Sequence, residues 1–320
     1  MNAPRTRVQR RPVHGVLLLD KPLGISSNQA LQKAKYLLRA EKAGHTGTLD
    51  PLASGLLPLC FGAATKFGQL QLDADKTYET TVRLGVRTTT ADAEGEVIEV
   101  RPVSCTMAQV LAVIAQYTGQ ISQLPPMYSA LKKDGKPLYE YARAGEVLER
   151  STRKVSIHAL DLLEAQLSGD LPFLRLRVRC SKGTYIRTLG EDIASALGCG
   201  GHLLALRRVG SGPFDISQAT PLSTLEDMSD ANRQQLLQPS ESLLDGHLSI
   251  CLDDEQAGRF LCGMRRRGNW TDAERVAVYA TSTQSGRQSL LGTGHVKAGE
   301  LIPGRLLSPV EIQQILEVKS

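Results

Sequence analysis

Apolar and polar positions along this chain follow two rhythms, and the switches between them mark out its elements. Residues 15–19 form an unbroken apolar run, and 15–20 read as a short buried strand that ends at the turn Lys21-Pro22-Leu23-Gly24. Ala30, Leu31, Ala34, Leu37 and Leu38 then recur at helical spacing behind Ser26 or Ser27 as the cap. A second apolar run, 56–62, reads as a strand entering the core. Residues 78–84 are rich in β-branched side chains, and 97–100 are expected to pair with them beyond the turn at Asp92-Ala93-Glu94-Gly95. Met107, Val110, Leu111, Ile114 and Tyr117 share one face of a helix that Gly119 ends.

From 125 to 154 the pattern breaks into a long polar and basic stretch. Residues 173–180 then alternate strictly, with Leu174, Leu176 and Val178 on one side and Arg175, Arg177 and Arg179 on the other. That predicts a half-buried strand with a basic outer face. Residues 188–197 read as an amphipathic helix stopped by Gly198, and 217–245 as helical connecting structure. After Gly246 the texture becomes β-rich, with strands expected at 275–280 and 289–292, a turn at Gln284-Ser285-Gly286 and a closing helix at 309–316. A domain boundary is expected near 245, separating 15–245 from 246–320.

Composition narrows the classes. At 320 residues, 41% hydrophobic and 22% charged, the chain has the make-up of a soluble globular protein of about two domains. No apolar run reaches ~18 residues, so no membrane span is expected. Arg5, Arg7, Arg10 and Arg11 precede no signal-peptide core, so 1–14 is expected to be a disordered basic arm and the location cytoplasmic. A formal charge of +5 is compatible with a polyanion partner without requiring one. The six cysteines show no Cys-x-x-Cys spacing and read as free thiols of a reducing compartment. Cys199 and His202 are close in sequence but lack a second ligand pair, so neither a metal nor another cofactor is expected.

One segment stands apart. Gly44-His45-Thr46-Gly47-Thr48-Leu49-Asp50-Pro51-Leu52-Ala53-Ser54-Gly55 sets a single carboxylate among glycines, hydroxyls and a proline, just before the 56–62 run. Alone, Asp50 reads as a turn residue bonded to its own backbone; on a compact loop beside the core, it is equally placed for chemistry. With Cys180-Ser181-Lys182-Gly183-Thr184-Tyr185-Ile186-Arg187-Thr188, Asp75-Lys76-Thr77-Tyr78 and Leu19-Asp20-Lys21-Pro22-Leu23-Gly24, it resembles the motif set of the TruB family of tRNA pseudouridine synthases. The resemblance covers roughly 15–215 well and the rest weakly. Ser54 stands where threonine is usual, and Thr89 where aspartate is frequent.

The resemblance implies an α+β chain of the pseudouridine synthase fold, a mixed and mostly antiparallel sheet flanked by helices, with a small β-rich PUA-like C-terminal domain. It also implies roles. Asp50 becomes the catalytic carboxylate, Arg187 the cation that keeps it charged in a dry pocket, and Tyr78 the aromatic wall for an extruded uracil. His45 resembles a residue that keeps the target base out of its loop's stack. Lys21 reads equally as a solvated turn lysine or as a substrate contact or active-site support, and Tyr185 as a further substrate contact.

Pro125-Pro126-Met127-Tyr128-Ser129-Ala130-Leu131-Lys132 opens a segment resembling the family's RNA-gripping insertion. From 132 to 154, seven basic residues, Lys132 and Arg143 among them, face four acidic ones, with Tyr139 and Tyr141 interleaved. A solvated loop has the same look. Arg207-Arg208 and Arg265-Arg266-Arg267 are expected to extend the basic track. The implied reaction is isomerisation of uridine 55 in the T arm of tRNA, with no guide RNA, by a monomer. A guide-dependent relative and a non-catalytic RNA-binding protein are the rival readings.

Overall fold

The computed structural model describes residues 9–129, 131–281 and 288–318. Arg5, Arg7 and the expected turn at Gln284-Ser285-Gly286 lie outside these residues. From the N-terminus come β1 (Gly15–Lys21), α1 (Ser27–Leu37), β2 (Ala43–His45), β3 (Ala53–Phe61), α2 (Gly68–Leu72) and β4 (Lys76–Leu84). A hairpin of β5 (Val86–Thr88) and β6 (Val97–Val100) leads to α3 (Met107–Gln116) and β7 (Gly119–Gln123). A second hairpin, β8 (Lys132–Lys133) and β9 (Lys136–Pro137), runs into α4 (Leu138–Arg143). Then follow β10 (Arg153–Gln166), β11 (Phe173–Cys180), α5 (Ile186–Ala196), β12 (Gly201–Ser211), β13 (Phe214–Asp215), β14 (Thr220–Pro221), α6 (Leu222–Asp227) and α7 (Asp230–Gln235). The remainder holds β15 (Leu248–Leu252), α8 (Asp254–Leu261), β16 (Arg266–Arg267), β17 (Ala273–Thr281), β18 (Gln288–Lys297), β19 (Glu300–Leu306) and α9 (Pro309–Val318).

The large sheet runs β14-β1-β3-β12-β4-β11-β10-β7, with β2 on β3 and β13 on β12. Only β1/β14 and β3/β12 are parallel, so the sheet is mixed and mostly antiparallel, as expected. The alternation read in 173–180 appears in β11: Leu174, Leu176 and Val178 are buried while Arg175 and Arg177 reach Glu79 on β4. Ser26 caps α1 in a capping box with Gln29, leaving the buried Ser27 free for another task.

Two expectations are corrected. Residues 97–100 pair with β5, not with 78–84, because β4 already has β11 and β12 on its two edges. The chain turns away at Gly85, whose φ of +80° favours glycine. Residues 10–14 are not disordered. The Arg11 backbone bonds to Arg39 and Glu41, its guanidinium meets Asp230 at 2.6 Å, and Val13 is buried. Those contacts offset the cost of ordering the segment.

Three apolar cores divide the interior. The first lies between the large sheet and α1, α3 and α5, and includes Leu17, Leu19, Leu57, Leu59, Phe61, Val82, Leu176 and Leu189. The second joins Val16, Leu18, Leu56 and Cys60 to Phe67, Leu243, Ala277, Leu290 and Leu307. The third fills the β15-β17-β18-β19-β16 sheet around Phe260 and Val278. β1 and β3 are therefore buried on both faces, which explains why each reads as a continuous apolar run. The C-terminal sheet is anchored on the back of the strand that leaves the Asp50 loop. Lys66–Glu311 at 2.6 Å and a His14–Gln314 contact at 2.9 Å tie α9 to the same region.

Among the described residues no helix is long and apolar enough to cross a membrane, and no cluster of three or more His, Cys, Asp or Glu is disposed to hold a metal ion. Cys60, Cys105, Cys180 and Cys199 are buried free thiols, whereas Cys251 and Cys262 are exposed.

Candidate active site

The loop 46–52 hangs between β2 and β3 and is braced from both sides. Pairing of β2 with β3 sets His45 opposite Leu59, and Thr46 N–H donates to the Pro58 carbonyl at 3.1 Å. On the other side the Ser27 hydroxyl accepts from Leu49 N–H at 2.7 Å and lies 3.1 Å from the Leu49 carbonyl. Gly24 N–H donates to the Pro51 carbonyl at 2.9 Å. The residues on either side of Asp50 are thus pinned by the first residue of α1 and by the turn after β1. That bracing limits where the carboxylate can go.

Arg187, the second residue of α5, reaches the loop from beneath. Its Nη2 lies 3.0 Å from Asp50 Oδ2 and its Nη1 3.5 Å from Asp92 Oδ2. It also donates to the Thr90 carbonyl at 3.2 Å and the Tyr128 carbonyl at 2.6 Å. Asp92 is itself satisfied by Thr90 Oγ1 at 2.5 Å and Glu94 N–H at 3.1 Å. The Arg187 and Asp92 side chains are 6% and 5% exposed, but Asp50 is 42% exposed. The cation and the second carboxylate are interior, and Asp50 is the member of the trio that faces solvent. An arginine held between two carboxylates stays charged and leaves the trio with net negative charge. Asp92 carries no motif signal of its own, since in the sequence it is one residue of a polar turn.

Tyr78 sits on β4 directly opposite Arg208 of β12. Burial pushes its phenol above the ordinary range, and the Arg208 charge and hydrogen bond oppose the rise. Lys21 is fully buried at the end of β1, donating to the Pro22 carbonyl at 2.9 Å and the Ile25 carbonyl at 2.7 Å. Burial pulls its ammonium down to about 8, against the pull of Asp50, which favours the charge. The solvated reading of Lys21 therefore falls: it braces the turn that holds Pro51. Burial, followed by the Arg208 charge, draws His45 below its ordinary value, and its Nδ1 is buried without a partner.

Tyr185 precedes α5, and Gln123 grips its backbone from both ends of one amide, at 3.0 and 3.2 Å. Burial raises its phenol. The basic segment joins the site through consecutive residues: Tyr128 O accepts from Arg187, while Ser129 O accepts from Tyr139 N–H at the start of α4. Beyond that link, Lys132 is exposed on β8 and Arg143 stacks 5.3 Å from the Tyr139 ring centroid. Lys136 lies 4.5 Å from the Tyr141 ring centroid, so the interleaved aromatics carry the cations on their faces.

The arginine doublet and the arginine triplet differ from expectation. Arg208 is 1% exposed and cannot lie on a surface track, and Arg207 is bound to Asp20 at 2.6 Å. Alternation along β12 sends the two neighbours to opposite faces. Arg265 and Arg267 are exposed, but both pair with Glu300.

Residues 35–186 match the TruB family pseudouridylate synthase N-terminal domain, and residues 187–245 the tRNA pseudouridylate synthase B C-terminal domain. A protein of Verminephrobacter eiseniae named tRNA pseudouridine synthase B is 60% identical over 98% of this chain and 95% of its own length. A protein of the same name from Ralstonia pickettii is 57% identical over 93% of this chain and 95% of its own. Among solved structures, a Cbf5-Nop10-Gar1 complex matches with a TM-score of 0.68 at 24% identity, over 98% of this chain and 92% of the matched one. An H/ACA ribonucleoprotein bound to a substrate RNA containing 2′-deoxyuridine matches at 0.66 and 22%, over 96% and 88%. At such identities the two structures speak for the fold.

Proposed function

This chain belongs to the TruB family of pseudouridylate synthases, and on that premise we propose that it converts uridine 55 in the T loop of tRNA to pseudouridine without a guide RNA. The observation that carries the reading is the Arg187 fork, 3.0 Å from a half-exposed Asp50 and anchored on a buried Asp92. The isomerisation needs an ionised carboxylate beside the ribose and base, and desolvation by a bound nucleotide favours the neutral acid. A buried guanidinium in direct contact resists that protonation.

Asp50 acts on the extruded nucleotide and the bond from C1′ to uracil N1 breaks. The freed ring turns, C5 bonds to C1′, and C5 gives up its proton as N1 gains one, so atoms and charge balance. Tyr78 supplies the wall on which the ring stacks, and Tyr185 a second contact. His45, neutral and short of one hydrogen-bond partner, suits a place in the gap that the base leaves. Stacking of that kind is worth about 1–3 kcal/mol, comparable to the cost of extrusion. Lys21 supports the loop from below, with Asp50 close enough to favour its charge.

Lys132, Arg143 and the aromatic-backed cations around them are the proposed grip on the T-arm backbone, acting by phosphate neutralisation. The chain divides near 245 into a catalytic part and a PUA-like RNA-binding part, and acts as a monomer. The test is single-turnover conversion of a bare T-arm stem-loop by the purified chain. The wild type is expected to form pseudouridine at the position of uridine 55. Asp50→Asn is expected to form none while binding the RNA within about threefold of wild type. Product from Asp50→Asn, or a wild type active only with an added guide, would sink the reading.

A further inference from the structure

Residues 88–96 join β5 to β6 and carry three consecutive threonines whose hydroxyls have different partners. Thr88 Oγ1 donates to the Asp92 carbonyl at 2.7 Å, and Thr89 Oγ1 accepts from Glu96 N–H at 3.1 Å. Thr90 Oγ1 donates to Asp92 Oδ1 at 2.5 Å, the one contact of the three that reaches the carboxylate. The Thr90 carbonyl meanwhile accepts from Arg187 Nη1 at 3.2 Å. One residue thus holds both members of the interior ion pair, the carboxylate by its side chain and the guanidinium by its backbone.

The hydroxyl has little freedom. A Cβ at Gly95 would lie 2.4 Å from Thr90 Oγ1, so the turn closes directly over it. Between Thr90 and Asp92 the backbone bends at Ala91, whose φ of +59° is costly for a residue with a Cβ, and the Ala91 carbonyl accepts from Leu203 N–H of β12 at 3.0 Å. Thr90 Oγ1 and Glu94 N–H both fill Asp92 Oδ1, which leaves Oδ2 to Arg187 Nη1 at 3.5 Å. With its side chain 5% exposed, Asp92 takes from these donors the hydrogen bonds that water would otherwise supply. A hydroxyl bonded to a carboxylate is among the stronger of such contacts. Without it, the group positioned to make up the loss is the Arg187 guanidinium, which would turn toward Asp92 and away from Asp50.

Building on the pseudouridine synthase reading above, we infer that Thr90 is a positioning residue for the reaction. Its hydroxyl holds Asp92 Oδ1, so that the Arg187 guanidinium is shared with Asp50 rather than drawn inward. Its effect on the rate runs through Asp92 and Arg187, not through contact with the nucleotide.

Thr90→Val keeps the branching and the backbone carbonyl and removes the hydroxyl. In single-turnover conversion of a T-arm RNA it is expected to slow the reaction at least about fivefold, with RNA affinity within about threefold of wild type. Thr90→Ser, which restores the hydroxyl, is expected to recover at least about half of the wild-type rate. Thr89→Val, which loses a turn hydrogen bond but no contact with the carboxylate, is expected to stay within about twofold. In an Asp92→Ala background, Thr90→Val is expected to cost under about twofold more, because the carboxylate it acts through is gone. A smaller effect of Thr90→Val, a serine variant as slow as the valine one, a Thr89→Val loss as large as that of Thr90→Val, or a loss that persists in full without Asp92 each overturn the inference. If Thr90→Val does not fold, Thr90→Ala against Thr90→Ser decides by the same criteria; if Asp92→Ala does not, the serine and Thr89 comparisons decide alone. A wild type inert on the RNA overturns the reading beneath it instead, which separates the two failures.

Discussion

Arg187 Nη2 lies 3.0 Å from Asp50 Oδ2 in a pair whose cation is 6% exposed and whose carboxylate is 42% exposed. The asymmetry says which partner is part of the packed interior and which is open to solvent. Arg187 also holds Asp92 and two backbone carbonyls, so its fork is filled on every side. Arg187→Lys keeps the charge but cannot span both carboxylates. The expected outcome is a fall of about 10²-fold or more in single-turnover rate, with RNA affinity nearly unchanged. A rate within threefold of wild type would show that charge suffices and the fork is dispensable.

Gly55 gives a stability test at the other end of the loop. Its φ is +103°, and a Cβ there would sit 2.2 Å from the Arg208 carbonyl and 2.9 Å from its nitrogen. The clash is with backbone inside a sheet, where no side chain is free to swing aside. Gly55→Ala is expected to cost about 3 kcal/mol or more, through strain at a forbidden φ and displacement of β12 from β3. Thermal unfolding checks it, and an unchanged midpoint would mean the strands part easily here.

Asp192 on α5 gives a pH test. Burial, with the neighbouring Glu191 charge adding to it, raises its carboxyl to about 6. A carboxyl raised in the folded state binds its proton more tightly there than in the unfolded chain. The neutral acid is therefore tolerated below about pH 4, and the fold loses stability as pH rises from there through about 6. Asp192→Asn is expected to be more stable than wild type by about 1–2 kcal/mol at pH 7.5, with the gap closing near pH 4. Urea unfolding at the two pH values measures it. Equal stabilities at both would show that water relieves the buried charge.

Much was legible in the chain before any contact was known. Strict alternation in 173–180 reports one wet and one dry face, and it reappears in β11 with its arginines outward. The glycines and proline around Asp50 mark a constrained loop because they restrict the backbone locally, whatever lies nearby. The pairing of 97–100 was misread because a turn between two β-like runs suggests a hairpin, while strand partners depend on which edges other strands have taken.

The sequence by itself determined the local conformations and the residue types of the site: a constrained carboxylate loop, an amphipathic helix over 188–197 just after Arg187, and two apolar runs too continuous for a one-sided strand. Those signals live in short windows, where backbone sterics and hydrophobic period act. Only the tertiary structure decided what stands behind the Asp50 carboxylate. Asp92 and Arg208 look in sequence like a turn residue and half of a surface doublet. They become the inner carboxylate and the buried cation because crossing strands bring residues far apart in sequence to a common place, where lost solvent gives each charge its weight. The seating of the C-terminal sheet on the back of β1 and β3 is likewise a matter of which apolar faces meet.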